Sequence, residues 1–447
     1  MARKFTSGAE YQSTTADIEI DSISGTTVSI DTSVKRSGAA SWKFVSSASG
    51  PFITRQYTAG NNDSYARAYL YVQSMTTASN IAIFLIRDAT SGNNANIRLN
   101  RDSANTYHLE LWNEQASTQL GSDSATLNIN TWYRVEFSYV RSSGVMTAYI
   151  DGVQFATGTG TANLNSNTLR WGSIDTSTMT LNFDDIAVND NTAGGNQTGL
   201  PGAGAVFRMN PNNSGDANSF ATQTGGTAGA SNNYTRVNET VPDDATTFNG
   251  SSTLNQEDLL NFDPSGIGSN DTVSVVEVWG RFRNSTADAT AALRFEIEKT
   301  GSGTITQSSA IVPNSTTWRM NTAAVPKTPP IVLYQDPDSA SWVQSTLDTL
   351  QAGYKLTVAP GTAGRRIDVT SVAVFVEYIP AQTISVSDSV TGSESSSVSV
   401  SGGVTTLTVN VSDTITTSES KTVTLFPPDL GVVVTPGIQQ VANVVVS

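Results

Sequence analysis

The sequence predicts an all-β protein: two β-sandwich (jelly-roll-like) domains followed by a repetitive, β-rich C-terminal arm. Three observations carry this expectation. Stretches in which apolar and polar residues alternate recur roughly every 10 to 15 residues, as strands with one buried face require. Ser, Thr, Asn and Gly are abundant and charged residues make up only 14% of the chain, a composition suited to strands and turns. Helical periodicity is scarce, and residues 342–356 are the best helix candidate, ending near Gly353.

A chain of 447 residues has room for roughly two to four domains, each with its own core. In residues 1–190 the segment 65–72, YARAYLYV, alternates cleanly. Segment 81–87, IAIFLIR, is nearly all apolar, as a buried central strand would be. Strands are also expected at 107–112, 131–140, 145–152, 169–173 and 181–190, with RSSG as the hairpin turn between the second and third of these segments. Residues 191–204 are a Gly/Asn-rich linker. Segments 272–283, 291–300, 329–336 and 365–379 then build a second sandwich over 205–380.

Beyond Pro380 the composition shifts. VSDSVTGSES (386–395) recurs as VSDTITTSES 25 residues later, an internal repeat. Each unit has too few large apolar residues for a compact core, so copies of the chain or neighbouring subunits are expected to order it. The end is apolar, with Val432, Val433, Val434, Val444, Val445 and Val446, and suggests docking onto another protein. The arm, 381–447, is the expected assembly element.

Composition excludes several functions. With 39 acidic and 25 basic residues the net charge is −14, and an acidic surface does not track phosphates, so nucleic acid is not an expected partner. There is no cysteine and a single histidine, His108, which rules out disulfides, thiolate metal sites and multi-His centres. The first residues carry no apolar run of a secretory signal, and no stretch is long enough for a membrane helix. Glycosylation triplets at Asn233 and Asn284 are chance products of an Asn- and Thr-rich chain. GTAGRR (361–366) lacks the lysine and the strand-to-helix context of a phosphate loop.

The segment HLELWNEQ holds the most chemistry. Strand alternation puts His108, Glu110, Trp112 and Glu114 on one face and Leu109 and Leu111 on the other. Two carboxylates beside an aromatic suit sugar cleavage, sugar binding with Trp112 as a stacking platform, or a solvated strand face. Retaining hydrolysis needs carboxyl groups roughly 5 to 5.5 Å apart, whereas four residues of strand span about 13 Å. No catalytic residues are therefore expected. His108 has no nucleophile and orienting acid beside it in the sequence, so a surface role is expected.

The order of VKRSGAASWKF (34–44), TWYRVEFSYV, AYIDG and FDDIAVND resembles the concanavalin A-like, laminin-G-like jelly roll over about 190 residues. Some glycosidases of that class carry Glu-x-Asp-x-Glu on one strand; here Trp112 holds the middle position. In related sandwiches, acidic residues on the last strand and near the N-terminus hold a structural calcium ion, which implies Glu10, Asp184 and Asp185 as ligands, alongside about six to eight oxygens in all. The alternative is that the aspartates cap a strand end and bond loop amides. No other cofactor is expected. Many bacteriophage virion proteins carry such a domain near the N-terminus without a signal peptide, and NYTRVNETVPDDATTF (233–248) resembles a segment that follows it in phage structural proteins. The resemblance implies a non-enzymatic structural protein of a tailed-phage virion, assembled in the host cytoplasm. It would be a capsid decoration, head fibre or tail component, partnered by other virion proteins and copies of itself, in contact with host glycans and not inserted in a membrane. The alternatives are a carbohydrate-binding adhesin using the concave face of the first sandwich, and a glycan depolymerase.

Overall fold

The computed structural model describes residues 2–47, 50–57, 63–76, 79–88, 92–175, 177–192, 199–288, 290–301, 303–313, 315–320 and 328–386. It also describes the strands Thr406–Val411, Thr422–Leu425, Gly431–Val433 and Asn443–Val446. The structure is 52% strand and only 3% helix, so the all-β expectation holds.

The first sandwich packs an eight-stranded sheet on a seven-stranded one. Period-two alternation places Leu70 and Val72, Leu109 and Leu111, Phe137 and Tyr139, and Leu181 and Phe183 in one shared core. Phe84 meets Phe137 edge-on at 4.9 Å, and Phe44 meets Phe183 in the same way at 5.8 Å. The apolar run 81–87 lies in the strand Ser79–Asp88, where the register shifts between Ala82 and Phe84. That shift turns Ile83 and Phe84 both toward the core, while Ala82 and Leu85 lie buried outside it. The strand Ala2–Ser7, unmarked in the sequence, pairs with the last strand, Met179–Asp190.

The second sandwich packs a six-stranded sheet on a five-stranded one. Its core holds Val276, Val278, Phe295, Ile297, Tyr354, Val374 and Val376. The helix expected over 342–353 is a single turn, Gln344–Leu347. The strand Leu350–Val358 follows at once. Leu350, Ala352, Tyr354 and Leu356 all enter the core, so a period of two overrides the helical reading. The expected strand 329–336 shortens to Ile331–Leu333, because Asp336 accepts the amides of Asp338 and Ala340 and closes a turn.

The two sandwiches are joined by a buried seam. Tyr11, Ile18, Val206, Trp279, Met320, Ala373 and Phe375 form a separate core cluster there. Glu377 pairs with Arg3 and with Arg67, the latter at 2.6 Å. Thr6 donates its hydroxyl to Glu277 at 3.0 Å, and Arg281 donates to the Asp17 carbonyl at 2.8 Å. The described part of the expected linker is bound as well: Gly202 and Gly204 carbonyls accept from Arg67 and Arg36. None of these contacts uses the outer face of the seven-stranded sheet.

In the arm, Gln382–Val386, Thr406–Val411 and Gly431–Val433 pair side by side in parallel. Gln382 lies opposite Leu407, and Leu407 opposite Val432, which is the 25-residue spacing of the repeat. Thr422–Leu425 pairs in parallel with Asn443–Val446. Most of the repeated segments 386–395 and 411–420, and Val434, lie outside the described residues.

Candidate functional site

The strand Tyr107–Asn113 presents its polar face on the outside of the seven-stranded sheet, while Leu109 and Leu111 enter the core. The predicted split of the two faces therefore holds. Its neighbour, Gly92–Arg101, sets Asn96 opposite Trp112, Arg98 opposite Glu110 and Asn100 opposite His108. The sequence NANIRLNR alternates in the same way, so these polar residues share the outer face.

The outcome is a hydrogen-bonded surface rather than a simple solvated strand. Glu110 is only 3% exposed. Its carboxylate accepts from Asn80, from Asn100 at 2.6 Å and from the Trp112 indole N–H at 2.6 Å. Glu114 accepts from Asn96 and from Arg98, the latter at 3.0 Å. To reach Glu114, the Arg98 guanidinium lies over the Trp112 ring, 4.4 Å from its centroid. Trp112 is therefore not the bare stacking platform expected, because a cation covers one of its faces. His108 is half-buried, with Nδ1 3.0 Å from the Ser124 carbonyl oxygen. The two glutamates stay anchored in separate hydrogen-bond sets, with no third acid between them.

The acidic residues implied as calcium ligands come close together, but in a different arrangement. Asp185 is turned toward protein donors: Arg36 at 2.5 Å, the Ser37 hydroxyl at 2.5 Å and the Val206 amide at 2.6 Å. Asp184 accepts the amides of Arg36 at 2.8 Å and Asp185 at 2.8 Å. This matches the alternative reading, a strand end bonded to loop amides. Glu10 accepts the Ala39 amide at 3.1 Å. Burial, and then the Asp184 charge, hold the Glu10 carboxyl well above its ordinary range. Burial and the Asp185 charge do the same to Asp184. Among the described residues no group of three or more His, Asp or Glu side chains is arranged to hold a metal. Glu10 and Asp184 are left as two facing acids, and Asp185 with its arginine does not fit a shared ligand set.

The same corner explains part of the motif at 34–44. Gly38 has φ +57°, and a Cβ there would fall 1.9 Å from the Glu10 carboxylate. The loop needs glycine both for its backbone and for room. Asn233 and Asn284 are fully buried and hydrogen-bonded, so neither triplet presents a glycosylation site.

Sequence reasoning missed Asn80, Asn96, Arg98 and Asn100. The alternation in 94–101 was a signal for three of them; Asn80 joins only through pairing of distant strands.

Comparisons with known proteins bear on the fold. No curated protein matches the chain. Among solved structures, it is similar to the cellulose induced protein Cip1, with 20% identity and a TM-score of 0.31, covering 37% of this chain and 89% of that one. The globular domain of T. cruzi calreticulin is similar at 8% identity and a TM-score of 0.31, over 43% of this chain and 89% of that one. The alginate lyase AlgAT5 of polysaccharide lyase family 7 is similar at 10% identity and a TM-score of 0.29, over 38% of this chain and 84% of that one. Residues 56–188 match the model of the concanavalin A-like lectin/glucanases superfamily, and the first sandwich accordingly has the concanavalin A-like jelly-roll fold.

Proposed function

We propose that this protein is a non-enzymatic structural protein that holds glycans on the outer face of its seven-stranded sheet. We place it on the surface of a tailed-phage virion, as a capsid decoration, head fibre or tail component, assembled in the host cytoplasm beside other virion proteins and copies of itself. One observation carries the binding role. Trp112, Arg98, Glu110, Glu114 and the asparagine amides form a single preorganised polar surface on a sheet face that the seam leaves open. Convergent amides and carboxylates beside an aromatic suit sugar hydroxyls. The same network argues against hydrolysis, because both carboxylates are committed to separate donors and no bulge draws them together. The family name of the matched fold, which covers lectins and glucanases alike, is compatible with binding and leaves the chemistry to the site. The virion role rests on the sequence resemblance. It is supported by the arm, whose parallel strands stack at the repeat spacing and leave edges for further strands.

A glycan panel tests binding. Wild type should retain at least one polysaccharide, and Trp112→Ala should weaken that retention about tenfold or more. Release of reducing ends by wild type, lost in Glu110→Gln or Glu114→Gln, would replace this reading by the depolymerase. The arm is tested by a chain ending at Pro380, which should fold but fail to join particles or oligomers. Efficient incorporation of that chain would move the attachment surface to the sandwiches.

A further inference from the structure

Several arginines of this chain are neutralised by carboxylates. Arg67 pairs with Glu377, Arg36 with Asp185 and Arg98 with Glu114. Arg87 and Arg170 differ. In the register between Ser79–Asp88 and Thr168–Gly172, Thr168 faces Arg87 and Arg170 faces Leu85. The two arginines are therefore diagonal neighbours on the outer face, roughly 7 to 8 Å apart across the strands. Neither forms an ion pair with a described residue, although the neighbouring Asp88 charge partly offsets the effect of burial on Arg87. Arg87 donates Nε to the Asp88 carbonyl at 3.2 Å. The Arg170 guanidinium rests on the Phe52 ring at 4.1 Å, and its Nε is buried without a hydrogen-bond partner.

Like charges placed side by side on a sheet oppose each other. Burial, and then the Arg87 charge, lower Arg170 to about 10. Such a pair stands out in a protein with 39 acidic residues against 25 basic ones. Guanidinium groups present planar forks that fit carboxylates and other oxyanions in a bidentate manner. The pair is also level with the network already described. One row across the sheet runs Trp112, Asn96, Leu85, Arg170, three strand spacings or roughly 14 Å. Asn96 and Leu85 between them are fully buried, and a cation–aromatic stack stands at each end of the row.

We propose that Arg87 and Arg170 form a subsite for the anionic substituent of an acidic polysaccharide lying across this face. The substituent is a uronate carboxylate or a sulfate ester. This rests on the glycan-binding reading above and names the class of glycan.

The test uses the full chain and calorimetric titration with polygalacturonate, dextran sulfate and neutral dextran, each at low and high salt. The acidic polymers should bind and dextran should not, with binding weakened by salt. Arg170→Gln and Arg87→Gln should each weaken acidic-polymer binding about tenfold or more. Arg170→Lys, which keeps the charge without the fork, should retain part of it. Circular dichroism and melting of each variant separate lost binding from lost fold. Polygalacturonate alone would identify the carboxylate, and dextran sulfate alone the sulfate. Suppose neutral and acidic polymers bind alike, are lost in Trp112→Ala and are untouched in Arg170→Gln. The anionic subsite is then overturned while the glycan face survives. Binding to no polysaccharide in the panel would sink both.

Discussion

Glu296 is one of several buried carboxyls that shape the response of this protein to pH. Burial and the adjacent Glu257 push it up to about 8. Burial pushes Asp258 up to about 6, against the hydrogen bonds it accepts from the Phe220 amide and the Tyr354 hydroxyl. Glu10 and Asp184 move in the same direction. A carboxyl raised in the folded state is fully stabilising below its unfolded value, near 4. That stability is lost as pH rises through the folded value. Stability should therefore fall between about pH 4 and 8, first through Asp258 and then through Glu296. Asp31, held below its usual range chiefly by backbone amides against the opposing effect of burial, works the other way at lower pH. We expect the melting temperature to drop by several degrees from pH 5 to pH 8. Glu296→Gln should flatten the upper part of that slope, as melting curves across the range will check. An unchanged slope in the variant would remove Glu296 as a cause. The polar face of 108–114 was legible at this scale from alternation alone. Its partner Asn80 was not, because it arrives from another strand whose pairing the local pattern does not encode.

At the scale of the element, Leu350–Val358 separates local preference from context. Residues 342–356 carry a helical pattern and a glycine at a plausible helix end. The strand forms because Ala352, Tyr354 and Leu356 fill a core that only the other strands create. Gly353 then has a different purpose from ending a helix. A Cβ at that position would lie 1.8 Å from the Asp258 carbonyl oxygen, so the glycine permits close approach of the paired strands. Gly353→Ala should destabilise by about 1–3 kcal/mol or more, as overpacking does, which urea unfolding will measure. Under a helix-end role the loss would be smaller, because Gly353 has no positive φ to relieve.

At the scale of the molecule, the seam makes the two sandwiches depend on each other. Glu377 comes from the second sandwich, and Arg3 and Arg67 from the first. Burial, and then the Arg67 charge, lower Arg3 to about 9, so the cations need the shared carboxylate. Glu377→Ala would leave two buried guanidinium groups without it, at a cost of about 3–5 kcal/mol. Trp279 and Phe375 also lie in the seam, and the second sandwich alone would expose them. We expect wild type to unfold in one cooperative transition and Glu377→Ala to lower its midpoint or split it in two, as calorimetry will show. An unchanged single transition in the variant would mean that the seam contributes little.

Alternation along 65–72 and 131–140 was enough to determine the β class and the core faces, and alternation along 108–114 the polar face at Trp112, because a strand's two sides are set by neighbouring residues alone. The three-stranded part of the arm pairs at the 25-residue spacing of the repeat, an internal pairing the sequence reading did not expect. Tertiary structure decided everything that depends on distant residues meeting. It buried Glu110 beneath Asn80 and Asn100, laid Arg98 over Trp112 and turned Asp185 from a shared metal site to Arg36. It also set Arg87 diagonally across from Arg170, 83 residues further along the chain. The physical reason is that strand order and register, which no local pattern encodes, choose the neighbours of each side chain, and those neighbours set its burial, charge and bonds.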